Sequence, residues 1–184
     1  MPVTLFGHDA TVSCVAWKPD GTVLASGGHD HAIILWDCTE NMETGNVLGT
    51  ELFSMVHYNR PYKPFELSKH AITCIAWKFD GSALVSGEQS GVVTMWWPDY
   101  SETEYWMKDF GLSEDEQDHI RCVCWCPKDD EIENLGPTES ELLSGRSDID
   151  AWRVNDTADE FSSVIGDITP FYTLNGFNMD FEFT

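Results

Sequence analysis

Apolar and polar positions alternate in short runs along the first 154 residues, and each run stops at Gly, Asp or Ser. VSCVAWKPDG starts at Val12, ITCIAWKFDG at Ile72 and IRCVCWCPKD at Ile120, and the three align without gaps. LASGGHDHAIILW, LVSGEQSGVVTMW and LLSGRSDIDAW follow them in the same order. Alternation with period two turns one side of a run toward a core and the other away from it. Asp-Gly or an equivalent between two such runs suits a tight β turn. Each unit therefore predicts three antiparallel strands, the last ending in Trp.

The units are widely spaced. Trp17 and Trp77 are 60 residues apart, and Trp77 and Trp125 are 48 apart. A four-stranded repeat of this kind spans ~40–45 residues, so the excess falls in connectors. KPFEL, at residues 63–67, is the expected fourth, outer strand of the first unit. PFYTL, at 170–174, is the candidate for the third. PVTLF, at 2–6, reads as an outer strand with no inner strands before it. The Ser-to-Trp interval is ten residues in the first two units (Ser26 to Trp36, Ser86 to Trp96). It is eight in the third (Ser144 to Trp152), which leaves the register of that hairpin open. A one-residue slip would turn a whole strand face outward.

These units resemble WD repeats, the family that builds β-propellers. The resemblance covers about residues 3–154. It implies an all-β fold of four-stranded antiparallel blades, about three of them, in an incomplete ring. The units fall at about 7–37, 69–97 and 118–154, and a tail at 155–184 has one or two candidate strands. The family implies a hydrogen-bonded tetrad in each blade: His before the first strand, Ser or Thr on the second, Asp in the next turn, Trp on the third. His8, Ser26, Asp30 and Trp36 match it in full. The second unit keeps His70, Ser86 and Trp96 but has Ser90 in place of Asp. The third offers His119, Ser144, Asp148 and Trp152. A propeller generally needs four to eight blades, so three imply the front part of a longer ring or a truncated product. Bare sheet edges invite pairing, and self-association through open blade edges is an expectation.

Charge narrows the partners. The net charge is -22, of which -17 falls in residues 99–184. Nucleic acid and anionic membrane both require clustered Lys and Arg, so neither is expected. A protein with a basic surface is. The acids concentrate in GLSEDEQD, at 111–118, and PKDDEIENLGPTESE, at 127–141. The second segment is an insertion and is expected to be a mobile acidic loop. The N-terminus shows no signal peptide and no apolar run is long enough for a membrane helix. A cytosolic place follows as an expectation, with reduced cysteines. All six are expected to pack in the core, since CVCWC sets Cys122, Cys124 and Cys126 along a strand rather than across a zinc-binding turn.

No catalytic residue, metal site or cofactor is expected, because no P-loop, G-x-S-x-G or H-E-x-x-H motif is present. The turns at His29 and His31, at Glu88 and Gln89, and at Arg146 are the candidate partner contacts. The function implied is a non-catalytic protein-interaction scaffold in a multiprotein assembly. The second unit faintly resembles those of intraflagellar transport subunits, which would make the cilium a further location. The alternatives are a poorly folding fragment and, more remotely, a metal protein or enzyme.

Overall fold

The computed structural model describes residues 4–39, 49–56, 70–100, 104–110, 119–126, 139–145, 149–155 and 168–174. Among these residues every regular element is a strand. The first sheet holds β1 (Val12–Trp17), β2 (Val23–Gly28), β3 (Ala32–Asp37) and β4 (Thr50–Val56), in chain order. The second holds β5 (Ile72–Trp77), β6 (Leu84–Glu88), β7 (Val93–Asp99) and β8 (Glu104–Phe110). The third holds β9 (Cys122–Trp125), β10 (Glu139–Gly145), β11 (Ile149–Asn155) and β12 (Ile168–Leu174). All neighbouring strands are antiparallel, and the sheets are open rather than closed on themselves.

Turn chemistry explains the first hairpin of each of the first two sheets. Gly21 and Gly81 both sit at φ 74°, where a side chain would be strained. Asp20 Oδ1 accepts from the Thr22 amide at 2.9 Å, and Asp80 Oδ1 from the Ser82 amide at 2.9 Å. These Asx turns fix the reversal before the strands pair. Lys18 and Thr22 bonds hold the exposed Asp20 carboxyl down at about 2.

Register resolves the third hairpin. Leu24 faces Trp36, Leu84 faces Trp96 and Leu142 faces Trp152. Gly27, Gly87 and Gly145 face Ile33, Val93 and Ile149 in turn. The two residues missing from the third unit are therefore lost from the turn, and its strands stay in phase.

Two expectations about strands change. The outer strand of the first sheet is Thr50–Val56, not KPFEL, which lies outside the described residues. Its Met55 is fully buried in the core, and pairing so soon after β3 closes a shorter loop. Residues 4–8, the described part of the N-terminal segment, form no strand. Each third strand, β3, β7 and β11, already carries an outer neighbour, so no such edge is open to them among the described residues. Leu5 instead packs beside Ile34, Trp36 and Leu24 on one face of the first sheet. The expected PFYTL strand lies within β12, so the third sheet takes a strand from the segment 155–184.

The sheets pack face to face. One cluster joins Val23, Ala25, Ile33, Leu35 and Met55 of the first sheet to Ile72, Ile75, Trp77, Leu84 and Trp96 of the second. Another joins Val85, Val93 and Met95 to Ile120, Val123, Leu142 and Trp152 of the third. Burial of this kind is worth roughly 25 cal/mol per Å², and it falls at the boundaries between sheets rather than within any one. Core packing holds for Cys38, which is buried, and for the half-buried Cys14 and Cys74. Cys122 and Cys124 are exposed instead, because they lie on the far face of the third sheet.

Candidate functional site

The four residues of the first unit come from three places in the chain: the segment before β1, the strands β2 and β3, and the turn between those strands. His8 Nδ1 lies 2.8 and 3.0 Å from the Asp30 carboxylate oxygens, and His8 Nε2 lies 2.7 Å from Ser26 Oγ. Trp36 Nε1 donates to Ser26 Oγ at 2.8 Å. One proton assignment satisfies every group. The indole N–H donates to Ser26, the Ser26 hydroxyl to Nε2, and the Nδ1 proton to Asp30. Asp30 also accepts from the Asp9 amide at 2.9 Å. The chain of bonds ties the segment before β1 to the middle of the sheet. Burial alone would raise the Asp30 carboxyl, but the bonds it accepts from His8, Asp9 and Ala32 outweigh it and leave the group below its usual range.

The second unit is built differently. Trp96 Nε1 donates to Ser86 Oγ at 2.8 Å, as in the first. His70 is half-buried. The acid is Glu88, two residues before the position where Asp is expected, and it is 1% exposed. Ser90 Oγ donates to Glu88 Oε2 at 3.1 Å. Glu88 aligns with Gly28, and the first unit has no room for it there. A Cβ on Gly28 would come within 2.6 Å of Asp30 Oδ1 and 2.9 Å of His8 Nδ1. The second unit thus sets a short Ser at 90 and a buried acid at 88 where the first unit has Asp30 and Gly28.

In the third unit Trp152 Nε1 donates to Ser144 Oγ at 3.0 Å. His119 is half-buried, and Asp148 lies outside the described residues. The register sets Asp150, which is buried, opposite Ser144.

The candidate contact turns divide. His29 and Gln89 are exposed. Their backbones are pinned alike: the His29 amide donates to Thr11 O at 2.8 Å and the Gln89 amide to Ala71 O at 2.9 Å. Glu88 is withdrawn as a contact, because its side chain turns inward. Arg146 lies outside the described residues, as do both acidic segments apart from 139–141. His31 is half-buried at φ 68°, where the second unit has Gly91 at φ 81°. Its Nδ1 is buried without a hydrogen-bond partner. His31→Gly is expected to raise the melting temperature. Relief of left-handed strain, about 1–2 kcal/mol, exceeds the ~0.5–1 kcal/mol entropic cost of glycine. A fall on thermal denaturation would contradict that balance.

Residues outside the initial reading also bridge the sheets. Trp77 Nε1 donates to Ala16 O at 3.1 Å, and Trp125 Nε1 to Ala76 O at 3.4 Å. Their signal was the Trp that ends the first strand of every unit. The Cys74 and Cys14 thiols are poor nucleophiles: burial pushes Cys74 up to about 11 and raises Cys14 as well. Among the described residues no group of His, Cys, Asp and Glu is arranged to hold a metal ion.

Comparison with known proteins agrees with this architecture. The family model for the WD domain, G-beta repeat, matches residues 2–37 and 62–96. The small ribosomal subunit protein RACK1 of Medicago sativa is 29% identical over 133 residues, covering 50% of this chain and 41% of that protein. The probable cytosolic iron-sulfur protein assembly protein 1 of Kluyveromyces lactis is 30% identical over 90 residues, covering 48% of this chain and 24% of that protein. The chain thus spans less than half the length of either relative. Among solved structures, the RRP9 WD40 repeats align with a TM-score of 0.56 at 20% identity, over 94% of this chain and 41% of that one. A chain of the mitotic checkpoint complex aligns with a TM-score of 0.58 at 17% identity, over 95% and 42%. Two segments of the chain thus match the WD-repeat model, and its antiparallel four-stranded sheets have the fold of WD40 propeller blades.

Proposed function

We propose that the chain is a non-catalytic scaffold that binds other proteins through the turns between the second and third strands of its blades. The observation that carries this reading is the repeated pinning of His29 and Gln89. Two exposed side chains are held on equivalent, braced turns of adjacent blades. A rigid platform loses little entropy when a partner settles on it. The relatives support a scaffold too, since RACK1 is named as a ribosomal subunit protein and a structural neighbour belongs to the checkpoint complex. The test is affinity capture with the parent chain and with a His29→Glu, Gln89→Glu variant. A partner held by the parent and lost by an equally stable variant supports the turns as the contact. An unchanged set of partners rules them out.

A basic partner surface is part of the proposal, because the net charge is -22 and most of it lies beyond residue 98. Nucleic acid is a poor match for that field. Association with a basic partner is expected to slow ten-fold or more between low and high salt, as steering is screened. A flat rate by stopped flow would mean the acids only solvate the chain. A place in the cytosol is proposed with it, supported by the name of the Kluyveromyces lactis relative. The intraflagellar or trafficking subclass and the cilium gain no support from these relatives and are left out of the proposal.

A further inference from the structure

The turns that join β1 to β2 and β5 to β6 share one plan. Lys18, Asp20, Gly21 and Thr22 recur as Lys78, Asp80, Gly81 and Ser82. In each turn the lysine Nζ pairs with the aspartate Oδ2, at 2.7 Å for Lys18 and Asp20 and at 2.9 Å for Lys78 and Asp80. The other aspartate oxygen accepts from the amide and the hydroxyl of the residue two places on. β2 runs from this end of the first sheet to the turn that carries His29. The two ends are a strand length, about 17–20 Å, apart.

Two aromatic residues mark this end at the boundary between the first and second sheets. Phe79 stands where the first unit has Pro19, and Tyr100 follows β7. They are 39% and 40% exposed, unlike the aromatic residues of the core. Lys18 brings them to one place. Its stem lies across Gly81, two residues beyond Phe79, where an added Cβ would meet Lys18 Cε at 2.8 Å. Its Nζ stands 5.6 Å from the centre of the Tyr100 ring, and Lys78 Nζ stands 5.5 Å from the centre of the Phe79 ring.

At this boundary the lysines are drawn in and the carboxylates are turned out. The side chains of Lys18 and Lys78 are 19% and 7% exposed, against 48% and 42% for Asp20 and Asp80. Rings and carboxylates therefore dominate the outward surface. A guanidinium suits such a surface. It is planar and weakly hydrated, stacks on an aromatic ring and can donate to a carboxylate at the same time. A carboxylate has about four lone-pair sites, so Asp20 and Asp80 can each accept beyond their own lysine. The net charge of -22 favours a cationic occupant over an acidic one.

We propose that this boundary is a second contact surface, which takes an arginine-bearing segment of a partner protein against Phe79 and Tyr100, with Asp20 and Asp80 as its anions. It rests on the scaffold reading for the existence of a protein partner, but it shares no residue with the His29 and Gln89 turns. Lysine is a poorer occupant, because an ammonium is more strongly hydrated and has no flat face to stack.

Amide NMR of the whole 184-residue chain tests this with two synthetic peptides, acetyl-Gly-Arg-Gly-Arg-Gly-amide and its counterpart with Lys for Arg. The arginine peptide is expected to shift the amides of Phe79, Gly81 and Tyr100 saturably, with a Kd of about 1 mM, as suits a few exposed contacts. The lysine peptide is expected to bind about three-fold more weakly or worse. Phe79→Ser and Asp80→Asn are each expected to weaken the arginine peptide about three-fold, the loss of one exposed cation–π or ion-pair contact. Tyr100→Ser and Asp20→Asn repeat the test at the other ring and the other acid, should either of the first pair fail to fold. The His29→Glu, Gln89→Glu variant is expected to bind the arginine peptide as the parent does at about 0.15 M salt, where charges a strand length away are screened. That result separates this surface from those turns. Absence of a saturable shift at the three amides overturns the proposal. So do equal affinities for the two peptides, which would mark general attraction to an acidic chain, or unchanged binding in folded Phe79→Ser and Tyr100→Ser variants.

Discussion

Trp77→Ala is expected to destabilise the chain by about 3–5 kcal/mol, the usual cost of removing a large buried aromatic. The same change at Trp17 is expected to cost under about 0.5 kcal/mol, as at an exposed site without special contacts. The two residues end the same strand of adjacent units. Trp77 is buried between the first and second sheets, beside Ile75 and Leu84, and its indole N–H is bonded to Ala16 O. Truncation removes that contact area and leaves a cavity that only the movement of a whole sheet could close. Trp17 faces away from the second sheet and is more than half exposed. Chemical denaturation at micromolar concentration, where any pairing between copies is weak, gives both values. Comparable losses at the two sites would mean that the first sheet is not packed as described, since Trp17 would then need a cover of its own.

What could be read ahead of the structure follows from where the physical signal is local. Alternation and turn residues mark β1 to β3 and β5 to β7 clearly, because a period-two run and an Asp-Gly turn depend only on near neighbours. The outer strands depend on more. KPFEL and TELFSMV are both plausible edges of the first sheet, and loop length with Met55 burial decides between them. The exposure of Cys122 and Cys124 was not legible at all. Their strand reads like VSCVAW, and only the lack of a following sheet among the described residues distinguishes them. Glu88 was hidden for the opposite reason. A glutamate in a turn is ordinarily solvated, and its inward turn makes sense only beside the short Ser90.

Asp30→Ala is expected to cost about 1–3 kcal/mol, because it leaves the largely buried His8 Nδ1 donor without an acceptor. The Asp9 amide also loses its acceptor but is exposed and can turn to water. Asp30→Asn separates charge from geometry. An acid held below its unfolded value stabilises the fold at pH above about 4, the ordinary carboxylate value, and that contribution fades as pH falls through the lowered value. Asp30 is such an acid, so Asp30→Asn is expected to flatten part of the acid limb of the stability curve.

The second unit supplies the sharper comparison. Ser90→Ala removes one bond to Glu88 and is expected to cost less than Asp30→Ala, near 1 kcal/mol for a single neutral donor. Glu88→Gly empties a buried site and is expected to cost more than Ser90→Ala. Adding Ser90→Asp to it rebuilds around His70 the arrangement that Gly28 and Asp30 make around His8. The pair should then recover most of the loss, with a coupling of about 0.5–3 kcal/mol, as is usual for residues in one network. The reverse exchange is barred in the first unit, where Gly28→Glu would collide with the His8–Asp30 pair. Double-mutant analysis by urea unfolding measures the coupling directly. Simple additivity of Glu88→Gly and Ser90→Asp would show that the acid at 88 does not replace the acid at 30, and that the second blade is held without a carboxylate in its staple.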